Sequence, residues 1–417
     1  LGPILEIINS GMKVKISSKS LAEAMNRVCK VVKAKARDDI LSGILLRLKD
    51  GKLKFVASDD VNTIEVVVPT LDYDGAKDGD TLANAAILRD VSRSFKAAGE
   101  IYISGESAGA VVEASASVYV EAAGRSSEFP ALAAVEGPKS FAMEWDEFVR
   151  VVATIGYSAK KDRHPKYAFN SAEVSINDGA ISVTCTDSNR LANATGKAVI
   201  DTHADFPLVP VKALKASVHF CKPDNPPKTR KVKKPLKKDP GIEHLAYHLR
   251  DYFMERMLKR VTDVSIRTDG EKITIDCPQG KITCNKAGGL FPSWRSVLPD
   301  ESSMVRFMFD RDKMLVALKQ VTATQGRRNS ALIFEVGDGM VTLSRQVGVD
   351  TASIPVIGSV EGRAKTTLNR HFLTDMLDVV TSTTVSMCVA DTGPCTFRGA
   401  GGDYHLIVPM TVGGSQD

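Results

Sequence analysis

The sequence predicts an α+β protein of three similar domains, each a helix and a few antiparallel strands used twice. Three observations carry this. One local pattern, an amphipathic helix, a strand, an Asp-Gly turn and a second strand, returns three times along the 417 residues. A further helix-and-strand segment follows each copy, so the unit is used six times in the chain. The turn glycines are also regularly spaced: Gly51 and Gly179 stand 128 residues apart and Gly179 and Gly339 160. Removing a basic insertion of roughly 35 residues makes those spacings nearly equal.

The first helix, SLAEAMNRVCKVV (20–32), puts Leu21, Met25, Val28 and Val32 on one face. GILLRLKDGKLKFVASD (43–59) is then two strands around Asp50-Gly51, because both central positions of a type I′ hairpin turn need positive φ. The alternating IEVVVP (64–69) adds a third strand. The same order recurs in AAILRDVSRSFKAA (85–98), EIYISGES (100–107) and SVYVEAA (117–123). In the second copy DEFVRVVATIGYSA (146–159) precedes a turn at Asp178-Gly179 and the strand ISVTCTD (181–187). The helix beginning VPVKALKASV (209–218) precedes SIRTDGEKITIDC (265–277) and KITCNK (281–286). The third copy runs RDKMLVALKQVTA (311–323) and ALIFEVGDGMVTLS (331–344), then LNRHFLTDMLDVV (368–380), TVSMCVAD (384–391) and YHLIVPM (404–410). AAVEGPKS (133–140) and LPDESS (298–303), with proline and little periodicity, are the expected joints. The expected domains are therefore 12–135, 139–298 with a basic insertion at about 221–260, and 303–414. The opening LGPILEIINSG (1–11) is expected to be the remnant of a protease site and linker.

Composition bounds the function class. With 43% hydrophobic and 25% charged residues, and no apolar run near the roughly 20 residues a bilayer span needs, a cytoplasmic protein is expected. Seven cysteines without a CxxC pair point to buried reduced thiols rather than zinc ligands or disulfides. The net charge of +5 is uneven: residues 222–260 hold twelve Lys/Arg and five Asp/Glu, so the remainder of the chain is slightly acidic. The first half of that insertion is Pro- and Lys-rich and expected to be extended, while its second half has apolar residues at helical spacing. That helix is either the domain's displaced second core helix or an added contact. His244 and His248 stand four apart on it, without the glutamate or third ligand of a metal site. No cofactor and no metal site are expected.

The stretch CTDSNRLA (185–192) is the most conspicuous local cluster. Asp187 beside Ser188 suggests a nucleophile, but the histidines form no partner motif, so catalysis is set aside. A turn shaped by Asp187 and Arg190 after the strand stays open.

With TDSNRLA in the second domain, LFPSWRSVLP (290–299) and the terminal VPM (408–410), the whole chain resembles the bacterial β sliding clamp, the processivity subunit of DNA polymerase III. Family members have something like TDGHRLA and FPDYRRVLP, so Ser188, Asn189, Ser296 and the insertion are departures. The resemblance implies the DNA-clamp fold, with sheets outside and helices inside a ring that two subunits close head to tail around double-stranded DNA. It implies a non-catalytic homodimer that binds DNA polymerase and clamp-loader subunits through short apolar peptides. The implied peptide groove comprises Phe169, Thr186, Ser188, Asn189, Arg190, Leu191, Pro292, Ser296, Val297, Val408, Pro409 and Met410. DNA contacts are implied at Arg37 and, in the matching loop of the second domain, at Lys160, Lys161, Arg163, Lys166 and Tyr167. Basic residues on the helices, among them Lys19, Arg150 and Lys319, would face phosphates. Ring closure would pair the strand carrying Val118 and Val120 with the helix end near Thr322 and Ala323. Two rivals remain: a monomeric or open-ring DNA-binding relative, and an enzyme on a repeated α+β scaffold.

Overall fold

The computed structural model describes residues 11–32, 40–59, 61–71, 74–131, 133–136, 140–160, 166–177, 179–201, 206–221, 263–323, 330–345, 350–399 and 402–410. The insertion at 222–260, with its two histidines and the helix expected there, lies outside them.

The order of elements is one β-α-β-β-β repeat used six times. The first is β1 (Met12–Ser17), α1 (Ser18–Val28), β2 (Gly43–Lys49), β3 (Lys52–Ser58) and β4 (Asn62–Val68); the second is β5 (Gly79–Asn84), α2 (Ala85–Ser94), β6 (Glu100–Glu106), β7 (Gly109–Glu113) and β8 (Ser117–Glu121). The third is β9 (Phe141–Glu144), α3 (Trp145–Gly156), β10 (Ser171–Asn177), β11 (Ala180–Thr186) and β12 (Arg190–Lys197), followed by the two-residue β13 (Val199–Ile200). The fourth is β14 (Val209–Pro210), α4 (Val211–Phe220), β15 (Asp263–Thr268), β16 (Lys272–Cys277) and β17 (Gly280–Asn285). The fifth is β18 (Val305–Asp310), α5 (Arg311–Thr322), β19 (Ala331–Gly337), β20 (Met340–Arg345) and β21 (Thr351–Ile357). The sixth is β22 (Ala364–Asn369), α6 (Arg370–Val379), β23 (Thr384–Val389), β24 (Cys395–Arg398) and β25 (Tyr404–Ile407).

The short leading strand of each repeat, which the sequence reading did not separate, explains why the repeats come in pairs. Each leading strand leaves its own repeat and adds to the three-stranded sheet of its neighbour: β1 pairs with β6 and β5 with β2, β9 with β15 and β14 with β10, β18 with β23 and β22 with β19, all antiparallel. The exchange links the two repeats of each pair by strand pairing. The last residue of the leading strand also caps the following helix: Ser17, Asn84, Asp310 and Asn369 each accept a hydrogen bond from a backbone N–H of its first turn.

The hairpins behave as their sequence demands. Asp50-Gly51 and Asp338-Gly339 have positive φ at both positions, 50° and 69°, and 51° and 74°. Gly179 has φ 72°, while Asp178 lies outside the described residues.

The chain divides into two compact units, Leu1–Trp145 with Ile200–Ala204 and Ala213–Lys286, and Asp146–Val199 with Asp205–Lys212 and Ala287–Asp417. The middle segment contributes to both. Sheet continuation is the reason: β17 pairs along β4 in the first unit, and β12 along β25 in the second. In the first unit Leu21, Met25 and Val28 of α1 and Leu88 and Val91 of α2 are buried; Val32 falls beyond the end of α1 and is half-buried. In the second unit Phe307, Phe309 and Phe334 centre a core closed by Met314 and Leu318 of α5 and Leu373 and Leu377 of α6. No described helix is long and apolar enough to cross a membrane.

Candidate functional site

The turn after β11 is wired by its own side chains. Asp187 Oδ1 accepts the N–H groups of Asn189 and Arg190, both at 3.0 Å, and Oδ2 accepts Arg190 Nε at 2.9 Å. Thr186 Oγ1 donates to the Arg190 carbonyl at 2.8 Å and accepts from Ser188 N at 3.2 Å. Ser188 has φ 80°, a left-handed conformation that costs a side-chain-bearing residue about 1–2 kcal/mol and suits glycine. Both oxygens of Asp187 are thus engaged in shaping the turn.

Arg190 reaches away from this turn to the sixth repeat. Its guanidinium donates to Asp375 Oδ2 on α6 at 2.7 Å and lies 4.4 Å from the Phe372 ring centre and 5.3 Å from that of Tyr157. Tyr157 Oη in turn meets His405 Nδ1 at 2.9 Å. Burial holds His405 neutral, its pKa pushed down to about 4, and raises the Tyr157 phenol above its ordinary value. Asp375, Phe372, Tyr157 and His405 escaped the sequence reading because no local pattern links residues up to 248 positions apart. Arg190 and Asp375, for instance, are 185 positions apart.

Sheet register brings the expected groove residues to one end of the second unit. Leu191 pairs with both Thr186 and Leu406, and Val408 N donates to the Asn189 carbonyl at 2.8 Å. Met410 N donates to the Thr367 carbonyl at 2.8 Å, carrying Pro409 and Met410 onward along β22. Opposite, Leu290 exchanges backbone hydrogen bonds with Lys166 and Ala168, the residues leading to Phe169, and so starts the segment bearing Pro292, Ser296 and Val297. Trp294 Nε1 donates to Glu173 Oε2 at 2.8 Å, and Arg295 stacks on the Trp294 ring at 4.4 Å, fastening that segment to β10. Ser296 Oγ is turned back to the Ser293 carbonyl.

Exposure redistributes the roles. Leu191 is 2% exposed and Phe169 8%, so both lie beneath the surface of the chain. The accessible apolar atoms belong to Leu290, Val297, Leu298 and Val408, of which Leu290 and Leu298 were not anticipated.

The expected basic contacts separate into three sets. Arg37, Lys161 and Arg163 lie outside the described residues. Lys160 and Lys166 are exposed, Lys166 Nζ standing 5.1 Å from the Tyr167 ring centre. Lys19, Lys313 and Lys319 are exposed on their helices. Arg150 departs from expectation: its guanidinium is held by both oxygens of Asp403 at 2.7 Å, by Glu147 at 2.9 and 3.1 Å, and by the Thr195 carbonyl. Hydrogen bonding to Glu147 raises the Arg150 pKa further and lowers that of Glu147, so this cation is a structural tie.

The expected closing strand is β8, the terminal strand of the four-stranded sheet β1-β6-β7-β8. The Val120 side chain is completely buried in that unit's core, so only its backbone is available at the strand edge; Val118 is half-buried and Tyr119 40% exposed. On the third-domain side Thr322 Oγ1 is spent on the Leu318 carbonyl and Ala323 is exposed. The more open surface is nearby. A cleft of ≈ 400 Å³ runs between α5 (Asp312, Lys313, Val316, Ala317, Gln320) and β21 (Ser353, Ile354, Pro355), with Val316 54% exposed. β21 is paired with β20 along residues 351–355, and its other side meets β18 only at Val356 and Ile357.

Comparison with known proteins agrees with this architecture. Residues 12–133 match the family described as DNA polymerase III beta subunit, N-terminal domain. Over 408 residues the chain is 20% identical to the beta sliding clamp of Chlamydia pneumoniae, covering 96% of this chain and 99% of that one. The Chlamydia muridarum beta sliding clamp is equally similar over 407 residues. Among solved structures, the Pseudomonas aeruginosa sliding clamp bound to griselimycin superposes with a TM-score of 0.78 at 18% identity, and the Bacillus subtilis DNA polymerase sliding clamp with 0.78 at 16%. Each covers 97% of this chain and all of the other. The fold is that of the DNA polymerase III β subunit.

Proposed function

We propose that this chain, a divergent relative of the bacterial β sliding clamps, is itself a DNA sliding clamp. Two copies close a ring around duplex DNA, and the end of the β10-β11-β12-β25 sheet takes short apolar peptides from a polymerase and other replication proteins. One observation carries the reading: the likeness runs through all six repeats and spans 96% of this chain and 99% of the Chlamydia pneumoniae clamp. A ring holds DNA by topology, so each lysine contact can be weak and sequence-blind, and the protein is free to slide. Exposed Lys19, Lys313 and Lys319 on α1 and α5, with Lys160 and Lys166 in a loop, suit such contacts. The apolar lip of Leu290, Val297 and Val408 over a buried floor suits a peptide anchored by aliphatic or aromatic side chains. Ring closure would add β8 of one copy along the open side of β21 in the other, covering Val316 and satisfying two strand edges at once. The protein does no chemistry of its own in this role, and it acts where the nucleoid is replicated.

Retention on DNA tests the whole proposal. Chains loaded onto nicked circular duplex should stay bound through gel filtration in moderate salt and be lost when the circle is cut once. Equal retention on circular and linear DNA would exclude a sliding ring. A single-subunit mass in solution, with no retention on either, would favour the open, monomeric relative.

A further inference from the structure

The chain that follows Leu290 crosses the second unit without joining its sheet. It makes two short 3₁₀ turns, Trp294–Val297 and Glu301–Ser303, with Leu298 extended between them. Among the described residues, the backbone of this stretch bonds only within its own turns, Ser296 N to the Ser293 carbonyl and Met304 N to that of Glu301. Side chains therefore fasten it. At one end Trp294 Nε1 and Arg295 donate to Glu173 Oε2 on β10, at 2.8 and 3.4 Å. At the other, Glu301 Oε1 accepts Thr396 Oγ1 at 2.8 Å and Arg398 at 2.9 Å, and Oε2 accepts Arg306 at 3.3 Å and the Cys388 thiol at 3.7 Å. Burial works to raise the Glu301 pKa, yet the hydrogen bonds from Thr396 and Arg398 hold the carboxyl below its ordinary value.

Sheet register shows what these anchors span. Glu173, Thr184, Asn193, Tyr404 and Arg398 stand opposite one another in a single row across β10, β11, β12, β25 and β24. Four strand spacings of about 4.8 Å make that row about 19 Å long. From Trp294 to Glu301 the chain covers three 3₁₀ steps of about 2 Å and four extended steps of about 3.3 Å, again about 19 Å. The segment is thus a strap with little slack beyond that of the anchoring side chains. Leu406 and Leu191 lie in the next row on the same face, opposite Thr396, and are 3% and 2% exposed, as residues beneath a crossing segment should be. Val297 and Leu298, between the anchors, keep 57% and 38% of their surface open to a ligand.

We infer that Glu301 is a positioning residue for the peptide groove: together with Glu173 it pins the two ends of a strap across the β12-β25 seam and holds the apolar lip of Val297 and Leu298 in place. The inference rests on the peptide site proposed above and adds what sets its lip. A lip on loose chain must be ordered each time a peptide binds, at a cost to affinity, whereas a strap tied at both ends is ordered beforehand. Both ties are needed, because the stretch has no ladder bonds to fall back on.

A double-mutant cycle on the full-length chain tests this, with a fluorescein-labelled synthetic decapeptide carrying leucine and phenylalanine anchors as the probe. Glu301→Ala and Glu173→Ala should each weaken its binding about tenfold, and the double variant also about tenfold rather than about a hundredfold, because releasing either end already frees the lip. Urea midpoints of the same variants should shift additively, since the two sites share no partner and stand about 19 Å apart. A merely structural role would make both quantities additive. Arg306 and Arg398 are 63% and 52% exposed, so removing Glu301 strands no buried cation. The isosteric Glu301→Gln, which disturbs packing least, should show a smaller loss in the same direction. Unchanged affinity in the single variants, or losses that multiply in the double one, would overturn the positioning role and leave the groove standing. A wild-type chain that does not hold the probe would remove the groove itself, and the positioning role with it.

Discussion

His405 is the residue whose chemistry most sharply constrains the native state. It is fully buried on β25, its Nδ1 bonded to Tyr157 and its Nε2 without a hydrogen-bond partner among the described residues. Its native pKa of about 4 lies below the roughly 6.5 of an unfolded imidazole. Between those values the unfolded chain binds a proton that the native chain refuses. Stability should therefore be constant in this respect above pH 6.5, decline as the pH falls, and level off near pH 4, with a total loss of about 3 kcal/mol. Urea midpoints across pH 4.5–7.5 measure this, and His405→Gln should flatten the decline. An identical pH slope in the variant would assign the effect to other groups. His405 also shows what local reading misses. The cluster 186–191 was legible as a shaped turn, and the family's glycine at 188 made sense of the left-handed φ that Ser188 now tolerates. The partners that fix Arg190 were not legible, because they arrive from α3 and α6 through pairing of distant strands.

At the scale of elements, the repeat was legible because its helices and three of its hairpins obey local rules: period 3.6 and Asp-Gly turns. The leading strands were not separated: β14 has two residues and β9 four, too short for alternation to register, while the six-residue β1, β5, β18 and β22 run directly into their helices with no turn between to mark them off. Their exchange between repeats is what pairs the repeats, a mechanical cause that the sequence did not display. The edges follow from the same topology. β8 ends its sheet, and β21 is half open beside the α5 cleft. If these edges close a ring, a charge at either should open it without unfolding either unit. Val316→Asp replaces an exposed side chain and should alter folding stability by no more than about 0.5 kcal/mol, whereas Tyr119→Asp also removes the hydrogen bond from Tyr119 Oη to the Ala108 carbonyl and should cost about 1–2 kcal/mol, less than a typical domain's stability. Sedimentation should show the wild type as a dimer and either variant shifted toward monomer by at least tenfold in dissociation constant. A dimer unaffected by both changes would put the closing surface elsewhere.

For the whole molecule, the proposal makes retention and affinity separate quantities, and the basic residues decide between them. A closed ring cannot leave a circle whatever its contacts, whereas binding to linear DNA depends on phosphate neutralisation and falls with salt, the log–log slope being about −0.9 per contact. Lys19→Ala and Lys319→Ala remove exposed cations on two helices. Together they should leave retention on circular DNA intact while reducing the magnitude of the salt slope on linear DNA by roughly 2, one contact each. Arg150→Ala is the counter-case. Its charge is already spent on Asp403 and Glu147, so the slope should stay at the wild-type value. Stability should instead drop by about 3 kcal/mol, because Asp403 would be left buried without its partner. Both arms are read from fluorescence titrations at several salt concentrations together with thermal melts. A slope unchanged by the two lysine substitutions would mean that these helix faces do not meet the phosphates, and a slope lowered by Arg150→Ala would mean that the tie to Asp403 opens on DNA.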